Sequence, residues 1–146
     1  EFTQAIIKQL ENNEAVWFGS DCNQFFGRDE GIWSLELLRY NEVFGINFDL
    51  TKEQMLDVKE STMNHAMVLT GVHIEDDIPK KWKIENSWGK EKGDNGYYVG
   101  SHSWFKTYVF QAVIHKKYLT DSQRKSLEKE PIVLKPWDPM GTLAIN

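Results

Sequence analysis

Two polar residues interrupt runs that otherwise read as apolar strands. His65 heads "HAMVLTGVHI" (65–74), and Asn86 lies near the end of "KWKIENSW" (81–88). The connection between the runs is short and hairpin-like, so it can bring the two together. Asn is a poor strand former, so its place there asks for a reason. A neutral imidazole held by an amide oxygen supplies one. The amide fixes the tautomer and orientation of the ring without adding charge and leaves the other ring nitrogen to act as a general base. These are the second and third members of a cysteine–histidine–asparagine arrangement. Each residue also has a plainer reading. A lone His beside a strand is commonly a satisfied structural residue, and an Asn near a loop is commonly a turn residue. The pair, and the residues around it, carry the functional reading.

The elements that must position this pair follow from pattern. A helix is expected over 3–14, where Ile6, Ile7 and Leu10 fall at helical spacing behind Thr3 as a cap. "AVWFGSD" (15–21) reads as a short buried strand, and 30–45 is mixed and receives no assignment. Thr51 with Gln54 three residues on forms a capping-box pattern for a short helix within 51–61. After the strand at 65–74 come a polar bend (75–80), the strand at 81–88 and a turn-rich loop (89–96). In the strand at 81–88, Trp82, Ile84 and Asn86 share one face and Lys83 and Glu85 the other. Further expectations are a strand at 97–100, a helical turn capped by Ser101 over 101–108, a strand over 109–119, and a polar helix or ordered loop over 120–130. Short connections make the sheet antiparallel. Residues 131–146 carry three of the four prolines and form an extended arm beyond a β-rich unit of 1–130, with Trp137 as an anchor in a pocket.

Composition narrows the class. At 146 residues, with 40 % hydrophobic and 27 % charged residues, the chain reads as one globular domain. No apolar run reaches the ~20 residues that span a bilayer. Residues 1–64 hold 12 acidic and 5 basic side chains, and 65–146 hold 10 and 12, so neither half argues for nucleic acid. A single cysteine, Cys22, excludes an internal disulfide framework and fits a reducing, cytoplasmic setting. One Cys and four scattered His give no metal spacing. The chain does not begin with Met, which reads as a fragment or processed piece.

The sequence around the pair is more specific. "NHAMVLTGV" (64–72) resembles the catalytic-His strand of papain-like cysteine peptidases, "KWKIENSWG" (81–89) their Asn strand, and "KGDNGYYVG" (92–100) the glycine-rich bend and strand that follow. Within that clan the chain resembles the bleomycin hydrolase / aminopeptidase C family, through "AVWFGSD" (15–21), "WFKTYVFQAVIHKKYL" (104–119) and "LKPWDPMGTLA" (134–144). The resemblance covers nearly the whole chain, but only the C-terminal third or so of such an enzyme.

The resemblance implies an α+β fold, the antiparallel, barrel-like β half of a papain-like cysteine peptidase with peripheral helices. It implies His65 as the catalytic imidazole, Asn86 as its orienting group and Trp88 as the indole that shields their hydrogen bond. It implies a C-terminal arm, Leu143, Ala144, Ile145 and Asn146, that gates the cleft. It implies a thiol aminopeptidase acting on peptides, a homo-oligomer (hexameric), and no metal or organic cofactor. The nucleophile of such enzymes lies ~130–150 residues before the His. Cys22 lies only 43 before it and is followed by Asn23 where an aromatic is expected. Cys22 therefore reads as a half-buried small apolar residue, and the oxyanion-hole Gln has no candidate. The alternative is a catalytically inactive assembly or inhibitory module of the same fold.

Overall fold

Residues 2–140 are described by a computed structural model. The chain opens with helix α1 (Phe2–Glu11), strand β1 (Val16–Ser20) and a small hairpin of β2 (Phe26–Gly27) and β3 (Ile32–Trp33). Two short helices, α2 (Tyr40–Phe44) and α3 (Lys52–Asp57), lead into the long strands β4 (His65–Glu75) and β5 (Ile78–Glu85). β6 (Tyr97–Ser101), α4 (His102–Tyr108), β7 (Val109–Ala112) and α5 (Asp121–Ser126) follow. All seven strands join one sheet in the order β2-β3-β6-β5-β4-β1-β7. The sheet is antiparallel, as short connections require for β2–β3, β4–β5 and β5–β6, except for β3 on β6, a parallel pair of two rungs. That pair is allowed because everything from 34 to 96 lies between its strands in sequence.

The β4–β5 hairpin is the spine. The bend expected over 75–80 is shorter than its composition suggests. The ladder runs to Glu75, turns on Asp76 and Asp77, and resumes at Ile78. Both Asp residues have positive φ, 50° and 60°, the two-residue turn whose twist matches antiparallel strands. Alternation then sorts the side chains. Met67 and Leu69 of β4 and Trp82 and Ile84 of β5 are fully buried against Ile6 of α1 and Trp104 and Phe105 of α4.

Helix caps sit largely where the sequence places them. Thr51 and Gln54 complete a reciprocal capping box, Thr120 and Gln123 form a second, and the Ser101 hydroxyl accepts from the Trp104 N–H. The first helix differs: it starts at Phe2, so Thr3 lies inside it and is no cap. The strand expected over 109–119 ends at Ala112. Hydrogen bonds to the N-terminal segment take the chain off the sheet there. The Gln9 side chain accepts from the His115 N–H at 2.9 Å, and Glu14 binds Lys117 and the Tyr118 hydroxyl. A 3₁₀ turn, Lys116–Tyr118, follows. No helix among the described residues is long and apolar enough to cross a membrane.

The loop between β5 and β6 depends on Gly93. Its φ is +60°, and an added Cβ would overlap the Tyr97 carbonyl oxygen and press the Tyr98 ring at 3.1 Å. Gly89 has φ +89° but open space around it. Gly93→Ala is therefore expected to destabilise the chain by more than ~1 kcal/mol, and by more than Gly89→Ala, in urea titrations. Equal losses would mean that the close approach of Tyr97 and Tyr98 adds nothing.

Candidate active site

His65 is the first residue of β4, and its pairing with Ser20 is the last rung of the β1–β4 ladder. Asn86 stands one residue beyond β5, its N–H donating to the Gly96 carbonyl at 3.1 Å. Strand parity puts His65 in the row of Met67 and Leu69, and Asn86 in the row of Trp82 and Ile84. Both side chains thus continue core-facing rows past the edge of the core and stay half-buried.

The structure brings them together: His65 Nε2 lies 2.9 Å from Asn86 Oδ1. The direction of that bond follows from a third group. The Ser87 N–H points at the same Asn86 atom at 2.8 Å, and only an oxygen can receive it. The amide orientation is thereby settled, and His65 Nε2 must be the protonated nitrogen. In the neutral ring the lone pair is then on Nδ1, and among the described residues no group donates to it. Asn86 Nδ2 is buried without a partner among the described residues.

Trp88 lies against the imidazole. Its ring stacks on His65 at 5.5 Å with planes 23° apart, while 40 % of the residue stays exposed, so it is a cap and not a core residue. A stack continues beneath it: Trp88 on Phe26 at 5.5 Å, Phe26 on Trp33 at 4.5 Å, Trp33 on Trp104 at 5.4 Å. The last two indoles also donate to loop carbonyls, Trp33 to Cys22 at 2.8 Å and Trp104 to Gln24 at 3.0 Å. The sequence reading missed this support because two-residue strands lie below any periodicity signal. The available hint was a Gly27…Gly31 turn between Phe26 and Trp33.

Cys22 is buried at 6 % exposure, deeper than expected, because the Trp33 indole closes over its loop. Burial first, and then the charge of Asp21, pushes its thiol up to about 11. Such a thiol is a poor nucleophile at neutral pH. A second group the sequence reading missed lies beside it, the carboxylate of Asp21 with Ser61 and Asn64.

Leu143, Ala144, Ile145 and Asn146, the residues expected to gate the cleft, lie outside the described residues. The arm leading to them touches the segment before His65, where the Met63 N–H donates to the Pro139 carbonyl at 3.1 Å. Trp137, expected as a pocket anchor, is 69 % exposed. The prolines deny the arm the donors that would dock it along a strand, so it stays exposed over 131–137 and becomes half-buried only at 138–140.

The profile of the Peptidase C1-like family matches residues 1–141. Aminopeptidase C of Lactobacillus helveticus is 48 % identical over the whole of this chain and 33 % of its own length. Aminopeptidase C of Listeria innocua is 46 % identical over 97 % of this chain and 32 % of its own length. The crystal structure of PepW from Lactobacillus rhamnosis HN001 matches with a TM-score of 0.89 at 48 % identity, over 96 % of this chain and 32 % of that one. The chain spans about a third of the length of these relatives.

The state of Cys22 makes a direct prediction. With its thiol at about 11, iodoacetamide at pH 8 should alkylate the native chain on the order of 100-fold more slowly than a free thiol. Urea should abolish the difference. Rapid native alkylation at pH 8 would make Cys22 a reactive thiol and reopen its role.

Proposed function

The chain belongs to the Peptidase C1-like family, and from that premise we propose that it is the C-terminal part of a thiol aminopeptidase, contributing the His and Asn of the site but not the nucleophile. The observation that carries the reading is the 2.9 Å contact between His65 Nε2 and Asn86 Oδ1, with Ser87 fixing its direction. A cysteine from the N-terminal part of the enzyme faces His65 Nδ1 and gives up its proton there. The thiolate attacks the carbonyl carbon of the first peptide bond. Imidazolium at Nδ1 returns the proton to the leaving amine, and an acyl thioester remains. Water then loses a proton to Nδ1 as it attacks the thioester, and the proton returns to the departing sulfur. Asn86 holds the ring through both half-reactions, and Trp88 keeps water off their hydrogen bond.

The arm supplies specificity. Its end, Leu143, Ala144, Ile145 and Asn146, occupies the cleft beyond the first residue of the substrate. The terminal carboxylate attracts the free ammonium of a peptide and repels carboxylates. Cleavage from the amino end follows by geometry. The Pro139–Met63 hydrogen bond supports this by setting the arm beside the approach to His65. The partners are peptide substrates, the N-terminal part of the enzyme, and further copies in a homo-oligomer, hexameric by family likeness. No membrane, nucleic acid, metal or organic cofactor is called on. The setting is cytoplasmic, on the ground of the single cysteine.

Three measurements test the reading. The 146-residue chain alone should hydrolyse no aminoacyl coumarin amide; thiol-dependent turnover lost in Cys22→Ala would overturn the missing-nucleophile reading. In the complete enzyme, His65→Ala should remove nearly all turnover, and Asn86→Ala should lower kcat by about 100-fold or less. A His65→Ala enzyme with normal kcat would leave only an assembly module. Deletion of 141–146 should weaken amino-end preference and release internal cleavage of longer peptides; unchanged specificity would reduce the arm to a surface strap.

A further inference from the structure

We propose that Asp21 is a positioning residue for His65, acting through Asn64; its bearing on turnover rests on the role of His65 given above.

Asp21 is 3 % exposed, and among the described residues no Lys, Arg or His lies within ion-pair distance of it. A buried carboxylate without a cation is costly unless donors surround it. Asp21 has four. Its Oδ2 accepts from the Ser61 hydroxyl at 2.9 Å and the Thr62 N–H at 3.2 Å, and its Oδ1 from Asn64 Nδ2 at 2.6 Å and the Asn23 N–H at 3.3 Å. Three of the four come from 61–64, the segment that delivers the chain to His65. Asn64 is tied from other sides too. Its Oδ1 accepts from the Cys22 N–H at 3.1 Å, and its own N–H donates to the Ser20 carbonyl at 3.0 Å. The Asp21 N–H donates to the Tyr108 carbonyl at 3.0 Å, which secures the carboxylate's own backbone against the end of α4.

The placement explains why a charge is kept here. His65 is the terminal residue of a ladder, and ladder ends fray. Asn86 and Trp88 hold the ring, but neither holds the backbone that carries it. The knot around Asp21 extends the β1–β4 pairing past its last rung and fixes residue 64, which in turn sets the direction of the His65 Cα–Cβ bond. A displacement of about 1 Å at a reacting group can cost ~100-fold in rate.

The test reads the ring and the turnover separately. In protein labelled with ¹⁵N-histidine, with His65 assigned by the signal lost in His65→Gln, the wild type should show one tautomer, protonated at Nε2. Asp21→Asn, which sets an amide N–H₂ among donors, and Asn64→Ala, which removes one arm of the knot, should each move His65 toward averaged tautomers. In the complete enzyme they should lower kcat about 10- to 100-fold with KM within about two-fold. A folded Asp21→Asn protein with unchanged tautomer and unchanged kcat overturns the proposal. If Asp21→Asn does not fold, Asn64→Ala decides, since it leaves the carboxylate three donors; an unchanged His65 signal and kcat there overturn it equally. Loosened tautomers in both variants, beside a wild-type enzyme that cleaves no aminoacyl amide, would support the placement by Asp21 and overturn the catalytic reading of His65.

Discussion

The amide oxygen of Asn86 accepts from His65 Nε2 and from the Ser87 N–H, and the second bond dictates the first. Without Ser87 the amide could turn over, present Nδ2 to the ring and reverse the tautomer. With it, a proton sits on Nε2, and in the neutral ring the lone pair is on Nδ1. The backbone after β5 is built to hold this arrangement. Asn86 is anchored through its own N–H to Gly96, across a loop whose Gly93 lies closer to Tyr97 and Tyr98 than a side chain would allow. The chemistry proposed for the chain reduces to which way one carboxamide faces.

That carboxamide is useful only where water does not compete for it. The indole stacked on the imidazole is that of Trp88, and its support is aromatic down through Phe26 and Trp33 to Trp104. Offset and tilted ring pairs are directional as well as apolar, so the stack transmits position from α4 to the indole over the imidazole. The same indoles pin the loop of Cys22 and Gln24 through their N–H groups. One set of side chains thus backs the indole on His65, closes over the thiol and shapes the loop that carries Asp21.

Away from the pair several large apolar side chains are exposed. Tyr40, Val43, Phe44, Ile46, Phe48 and Leu50 are exposed, and a cavity of about 1040 Å³ lies between this segment and Phe25, Met55 and Tyr108. Ile132, Val133 and Trp137 add exposed surface on the arm. Patches of this kind mark interaction surfaces, in keeping with a chain that spans a third of the length of its relatives.

Strand alternation over 65–74 and 81–85, the Thr51–Gln54 capping box and the Ser101 cap are local, and they were legible because neighbours in sequence determine them; the strand expected to reach 88 ends at Glu85. The pairing of His65 with Asn86 was legible for a related reason: a short hairpin joins their strands, so register leaves little freedom. The α+β class was readable from the stretches flanking that pair, and the family from 15–21, 104–119 and 134–144. What sequence could not supply was whatever needed partners from distant segments. The strand expected over 109–119 stops at Ala112 because Gln9 and Glu14, about a hundred residues earlier, draw the chain away. The β2–β3 hairpin exists through its parallel partner β6 and its place in the aromatic stack, not through its own four residues. Asp21 reads as an ordinary acidic residue after a strand; only the fold surrounds it with Ser61, Thr62 and Asn64, some forty residues on. Local pattern therefore picked out His65 and Asn86 as a candidate pair, and long-range hydrogen bonding and packing decided how they are held, since neither depends on separation along the chain.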